Sequence, residues 1–439
     1  MNMTLNRYIT LVALLLLAPS AVLAEQLFTA EFAPYEIRED AQSGVRKLKE
    51  YYRDFSPKPA ISTDSTLIVR QLFMMPDNWT GRVVTLHIEG AGDAYDLIIN
   101  ERKVFSQEDA ITPVTLNISK HLAQGLNRID VALRKSRVPQ IDAGVDIPRK
   151  HLFVGSYILA QPHLHIHDLD ISIRPDSLNK RGKLNIAVAL RNDFSQAQSV
   201  DVGYDIYTPS GELLDYSVNS FEVKGFATDT IRFSPTVIGA FDNKWSTDSP
   251  KLYRVMVYLR RRGVITEYIP RKVGFLDVSY KDNKIYNFSE PLSIEAHSYN
   301  AAATKEQSHR ELLQLKKLGI NTIAPSYPQP MWLYDLCNEL GLWVVDQINI
   351  NAVASPKDKR VGGTPSNNPE LLGEYMLRTK AAYSRSREKG CVIGYSLGGD
   401  ESGNGYNMYR LYEWLKVKEP NKPIIYRGVR GEWNSDVIE

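Results

Sequence analysis

Leu315-Lys316-Lys317-Leu318-Gly319-Ile320-Asn321-Thr322-Ile323 closes one element and opens another. Glu306 to Leu318 reads as a helix, and Ile320 to Ile323 as the short apolar strand that follows it. The same pairing then repeats down the chain. Helix Met331 to Leu340 precedes strand Leu342 to Asp346, and helix Glu370 to Arg387 precedes strand Cys391 to Ser396. Helix Tyr406 to Lys416 precedes strand Pro423 to Arg427. Regular alternation of helix and strand implies a parallel sheet covered by its own helices.

Upstream of about residue 280 the period is different. From about 60 to 160, short alternating strands such as Leu67 to Phe73, Val83 to Ile88 and Asn127 to Leu133 are split by Gly, Asn and Asp, the pattern of an all-β sandwich. A second β segment from about 164 to 278 includes Leu184 to Leu190, Val202 to Tyr207 and Tyr253 to Leu259, and has the size of an immunoglobulin-like domain. At the start, Arg7 precedes the apolar run Ile9 to Ala18, and Ala21-Val22-Leu23-Ala24 supplies small residues for cleavage. That is the form of a secretory signal, too short to span a membrane. The expected division is 1–24 signal peptide, 25–163 first sandwich, 164–279 second sandwich and 280–439 the βα region, in a protein exported from the cytoplasm to the periplasm or outside the cell.

The 53 basic and 51 acidic residues nearly cancel, for a net charge of +2, which argues against a nucleic-acid partner. The two cysteines, Cys337 and Cys391, lie in separate elements; two buried thiols are the blander alternative to a disulfide.

Motifs along all three regions resemble glycoside hydrolase family 2, which includes β-galactosidases, β-glucuronidases and β-mannosidases. In the first region the match covers Arg70, Phe73, Pro76, Trp79, Gly81, Glu89-Gly90, Asn100 and Gly125-Leu126-Asn127. In the second it covers Trp245, Pro250, Leu252-Tyr253 and Gly274-Phe275. In the third it covers the opening stretch, Gly341 to Asp346, Tyr395-Ser396-Leu397-Gly398 and Glu401-Ser402-Gly403. The resemblance implies a jelly-roll sandwich, an immunoglobulin-like sandwich and a partial (β/α) TIM barrel. It also implies retaining hydrolysis of β-linked sugars, in which one carboxylic acid protonates the leaving oxygen and a second carboxylate, about 5–5.5 Å away, attacks the sugar. By position, Glu401 is the acid/base candidate. Asn349 and Asp400 fall at sugar-contacting positions, and Trp433, in a polar loop, is a candidate for stacking on a sugar ring.

The sequence departs from the family at these positions. Asp400 stands where the family has an asparagine, and an extra glycine precedes it. An inserted residue that moves Glu401 by 1 Å is enough to cost orders of magnitude in rate. The family's magnesium-holding Glu and His correspond to Asn351 and Val353, and valine offers a hard cation no oxygen, so no metal or other cofactor is expected. About five βα units precede Glu439, against the eight of a full barrel, and no residue matches the family nucleophile. The expectation is a poor hydrolase as this chain alone, with a carbohydrate ligand and a barrel completed by a second chain or by self-association. The rival is a non-catalytic carbohydrate-binding or scaffolding protein. Two further patterns carry clustered histidines and arginines. His163, His165 and His167 share one strand face, as some zinc sites require, against the alternative of an exposed polar face. Arg260-Arg261-Arg262-Gly263 reads as a solvated hairpin turn rather than a basic docking patch.

Overall fold

The computed structural model of the chain describes residues 23–62, 67–144, 153–353, 358, 360–429 and 431–437. The expected signal segment lies outside the described residues except for Leu23 and Ala24, as does Glu439.

Among these residues the first unit is two five-stranded antiparallel sheets. One runs, in spatial order, Glu25–Leu27, Val114–Asn117, Val83–Ile88, Tyr157–Gln161 and Tyr52–Asp54. The other runs Lys58–Ser62, Leu67–Met75, Gly125–Arg134, Ala94–Ile99 and Arg102–Gln107. Alternate side chains meet between them: Val69 and Phe73 are buried, while Leu72 and Met74 on the same strand face outward. Val83–Ile88 breaks that alternation, being buried at every position. Val84, Leu86 and Ile88 enter the sandwich core, and the opposite face, with Thr85 and His87, is covered by the rest of the molecule.

The second unit pairs Leu164–Asp176, Arg181–Asn192 and Thr228–Phe233 in one sheet, extended by Thr236–Val237. Its other sheet orders Leu213–Val223, Gln198–Tyr207, Leu252–Arg261 and Val264–Gly274. Leu184, Ile186, Val188 and Leu190 point inward at every second residue. The basic run forms the expected hairpin turn: Arg262 and Gly263 both take positive φ, 50° and 81°, as a two-residue turn of primed type requires.

The third unit is part of a (β/α) barrel. Strands β1 (Ala296–Ser298), β2 (Thr322–Ala324), β3 (Trp343–Gln347) and β4 (Val392–Ser396) lie parallel and in chain order. Each is followed by a helix: α1 (Lys305–Lys317), α2 (Met331–Leu340), α3 (Leu372–Ser386) and α4 (Tyr406–Lys418). Thr304 caps α1 by accepting from the Gln307 N–H, and Gly341 closes α2 at φ 73°. Both faces of the sheet are buried. Val344, Val392 and Tyr395 pack on the helices, while Trp343, Val345 and Ile393 face the barrel interior, where Trp245 and Ile285 plug them. Cys337 and Cys391 are buried free thiols in the helix-side core.

The expected strand Pro423–Arg427 is reduced to one parallel bridge, Tyr395 to Ile424, and then a 3-10 turn at Arg427–Val429. Its outer side is occupied by a side chain rather than by a continuing ladder. Asp436 gives its N–H to the Ile424 carbonyl and takes the Ile424 N–H on Oδ2 at 2.7 Å, while Tyr412 and Lys416 bond the same carboxylate.

Candidate active site at the strand ends

The C-terminal ends of parallel barrel strands are where this architecture gathers reactive groups. After β4 the chain runs Leu397-Gly398-Gly399 into a single 3-10 turn, Asp400–Ser402. Two contacts explain the paired glycines. A Cβ at Gly398 would sit 2.5 Å from the Ile350 carbonyl oxygen, and one at Gly399 would sit 2.7 Å from Asn351 Oδ1. The turn therefore lies directly on the loop that follows β3. Ser402 pins it there: its hydroxyl donates to the Ile350 carbonyl (3.1 Å) and accepts the Ala352 N–H (3.1 Å). Asp400 and Glu401 stand exposed on the rim of this anchored turn.

The loop after β3 is amide-rich and closed on itself. Gln347 Nε2 donates to the Ser326 carbonyl and to Asn351 Oδ1, and Asn351 Nδ2 donates to Ser326 O (3.2 Å) and Asn349 Oδ1 (3.2 Å). Asn349 is fully buried and its Nδ2 donates to Asp109 Oδ1 at 2.6 Å. The sugar-contacting candidate thus faces a loop of the first sandwich, so its amide is already engaged. Asn351 is buried and Val353 is exposed. The three histidines do not converge on one point: His163 meets Phe194 edge-on, while His165, with Nδ1 2.9 Å from the Pro162 carbonyl, and His167, at a bulge between Ile166 and Asp168, have ring centroids 6.2 Å apart.

Trp433 is 56% exposed and stacks face to face on Tyr409, with ring centroids 5.3 Å apart. Beside it Asn404 and Asn434 exchange amide hydrogen bonds of 2.8 Å in both directions. Glu432 accepts from Tyr409 Oη and from Asn404 Nδ2. Of the carboxylates after Glu401, Glu432 and Asp436 are therefore both held by neighbours.

Two buried arginines on α3 organise the junction with the first sandwich, and sequence reasoning missed both. Arg378 binds Asp142 (2.5 Å), Glu374 (2.9 Å) and the Asn349 carbonyl (2.8 Å), with Asp109 at 3.8 Å. Burial raises the Asp142 and Glu374 carboxyls above their usual range, although Arg378 pulls both down. Arg385, two turns along the same face, binds Glu31 (2.9 Å) and Glu89 (3.1 Å). The available signal was charge at core phase: Tyr375, Arg378, Ala382 and Arg385 form the buried stripe of α3.

A family model described as "Glycosyl hydrolases family 2" matches residues 164–275, and one described as "Glycosyl hydrolases family 2, TIM barrel domain" matches residues 296–439. A β-galactosidase of Psychromonas ingrahamii is 28% identical over 391 residues, covering 84% of this chain and 36% of the relative. A β-galactosidase of Priestia megaterium is 24% identical over 394 residues, covering 87% of this chain and 36% of its own length. The chain thus spans about a third of the length of these curated relatives. Among solved structures, a Bacteroides uniformis β-glucuronidase superposes with TM-score 0.69 at 19% identity, over 91% of this chain and 49% of that one. A β-glycosidase from Bacteroides vulgatus superposes with TM-score 0.68 at 17% identity, over 91% and 49%. With the barrel strands, the anchored Glu401 turn and both family models falling in one order along the sequence, the chain belongs to glycosyl hydrolase family 2.

Proposed function

We propose that this chain carries the acid/base half of a β-glycosidase site for galactoside- or glucuronide-type sugars, exported from the cytoplasm, and that alone it turns such sugars over slowly. The observation that carries this is Glu401, an exposed carboxylate at the end of β4 on a turn locked by Gly398, Gly399 and Ser402. A carboxyl so held can protonate a glycosidic oxygen. Slow turnover by residues 1–439 fits their carboxylates, since Glu432 and Asp436, the described acids near the end, are engaged in holding other groups. In this reading the two sandwiches are jelly-roll and immunoglobulin-like. The test is nitrophenyl β-galactoside and β-glucuronide hydrolysis by the purified chain. Ordinary enzymatic rates that vanish in Glu401→Gln would overturn the slow-turnover claim, and slow hydrolysis unchanged in Glu401→Gln would overturn the role of Glu401. Exposed Trp433 supports the second reading, a carbohydrate-binding protein without catalysis, which predicts calorimetric sugar binding lost in Trp433→Ala and indifferent to Glu401→Gln.

A further inference from the structure

Glu31, His87 and Glu89 bring three ligand atoms within 4.8 Å of one another, the one such trio of His, Cys, Asp or Glu side chains among the described residues. They sit where the first sandwich meets α3. His87 and Glu89 come from the end of Val83–Ile88 and the residue after it, and Glu31 from the segment that follows the first strand.

The orientation of the six polar atoms is what matters. Arg385 takes one oxygen from each carboxylate, Glu31 Oε2 at 2.9 Å and Glu89 Oε1 at 3.1 Å. The other two oxygens turn toward His87 Nε2: Glu89 Oε2 at 2.8 Å and Glu31 Oε1 at 3.6 Å. On the far side of the ring, His87 Nδ1 lies 2.9 Å from Thr115 Oγ1. At 2.8 Å Nε2 shares a proton with Glu89 Oε2; with a proton on Nδ1 donated to Thr115, release of the Nε2 proton frees that nitrogen for a metal. His87 is also fixed in plane by Tyr157, stacked at 4.8 Å and 19°. One imidazole nitrogen, two carboxylate oxygens and outer-sphere donors on each ligand are the arrangement by which proteins orient a bound transition metal. A cavity of about 20 Å³, lined by Glu31, His87, Thr115 and Arg385 among others, adjoins two of the three. That is room for about one water, the fourth ligand of a tetrahedral ion.

We propose that Glu31, His87 and Glu89 form a zinc-type divalent-cation site that ties the first sandwich to the barrel. Tetrahedral zinc ligands stand about 3.3 Å apart, so binding moves Glu89 Oε2 outward from 2.8 Å and Glu31 Oε1 inward from 3.6 Å while Arg385 keeps their other oxygens. Two carboxylates and Arg385 leave one negative charge; the ion with a bound hydroxide neutralises it. The competing occupant of the gap is a proton on His87. No sequence spacing reveals this trio, because Glu31 lies far from the His87-Ile88-Glu89 strand end and only the fold unites them. The site is independent of Glu401 and of sugar binding.

The test is calorimetric titration of the chelator-treated full chain with zinc at pH 7.5, together with cobalt substitution. The expected result is one ion per chain, visible cobalt bands of tetrahedral intensity, and a higher melting temperature with zinc. His87→Ala and Glu89→Gln should abolish stoichiometric binding. Arg385→Gln should weaken it about 10- to 100-fold, as loss of an outer-sphere partner does. His165→Ala and His167→Ala should leave it intact. Wild-type protein that binds no zinc and gives no tetrahedral cobalt spectrum overturns the proposal, and that readout needs no variant to fold. Stoichiometric binding that survives His87→Ala also overturns it.

Discussion

The first sandwich meets its two neighbours through different chemistry. Against the barrel it uses charge: Arg378 with Asp109 and Asp142 from the first unit and Glu374 from its own helix, and Arg385 with Glu31 and Glu89. Against the second sandwich it sets one ion pair, Arg38 to Asp205 at 2.6 Å, beside a buried acid that has no bonded cation. Glu267 takes the Gln161 amide at 2.8 Å and the Ile166 N–H at 2.7 Å, and burial pushes its carboxyl up to about 7. A polar cavity of about 160 Å³ lies beside that second contact, lined by Gln161, His165, His167, Arg191 and Asp193 among others, and burial pushes the His165 imidazole down to about 4. One junction is assembled by ion clusters that tolerate no missing member. The other holds, beside its ion pair, a buried carboxyl whose charge changes near neutral pH, so part of its strength is governed by pH.

The strongest way to break this contrast is Arg378→Ala. It leaves Asp142, Glu374 and Asp109 buried together with no cation, a change that costs about 3–5 kcal/mol when a buried pair loses one partner. Urea denaturation at pH 7 reads the loss. Replacing the cluster wholesale, Arg378→Met with Asp109→Asn, Asp142→Asn and Glu374→Gln, should recover most of it, because the penalty is the unpaired charge rather than the missing bond. A loss below 1 kcal/mol in the single variant would mean that the barrel junction does not depend on charge.

Glu267→Gln addresses the other junction. The folded-state value of about 7 lies above the unfolded value of about 4.3, so the folded chain holds a proton that the unfolded chain releases. Stability from this group is fully present below about pH 4.3 and declines as pH rises through about 7, by about 4 kcal/mol over the window. The measured quantity is the wild-type stability minus that of Glu267→Gln at pH 5 and pH 8. That difference should fall with pH; a flat difference would mean that water reaches the carboxylate.

These two junctions also mark what the sequence could and could not disclose. The helices α1, α2, α3 and α4 were legible to within about two residues, because an apolar period of 3.6 sustained over three turns has few alternative explanations. The turn bearing Glu401 was legible because a strand end and a motif coincide. Asn349 was not, since a buried amide bonded to Asp109 and an exposed amide waiting for a sugar are written with the same letter. Pro423 to Arg427 looked like a strand by composition, but Asp436, from beyond the run, satisfies Ile424 in place of a ladder. Arg378 and Arg385 lay in plain view at core phase, yet their partners come from loops hundreds of positions away.

A smaller effect separates the glycines that seat the Glu401 turn on the β3 loop. At Gly398 a methyl group would meet the Ile350 backbone carbonyl at 2.5 Å, which cannot move without dragging the loop. Gly398→Ala should cost about 1–3 kcal/mol, the range for overpacking. At Gly399 the obstacle is the Asn351 side-chain oxygen at 2.7 Å, which can rotate at the expense of its bond from Gln347. Gly399→Ala should therefore cost less, and the order of the two midpoints in a thermal melt checks it. The reverse order would mean that the amide lock on Ser326 is stiffer than the backbone beneath the turn.

The smallest expected stability change belongs to Trp433, and there the contrast with a core tryptophan is useful. Trp343 is buried against Trp245 with centroids 4.4 Å apart, inside the barrel. Trp433 keeps one face on Tyr409 and an edge contact with Tyr412 at 5.4 Å, yet leaves more than half its surface to solvent. Trp433→Ala thus forfeits two aromatic contacts, about 0.5–1.5 kcal/mol each at most, and no core volume. If the exposed indole is where a sugar ring rests, the same substitution should remove the quench of tryptophan fluorescence on adding β-galactosides or β-glucuronides while the melting temperature shifts by only a few degrees. A variant that melts near wild type and still responds fully to sugar would take Trp433 out of the binding surface and leave Glu401 and the exposed rim around it as the place to look.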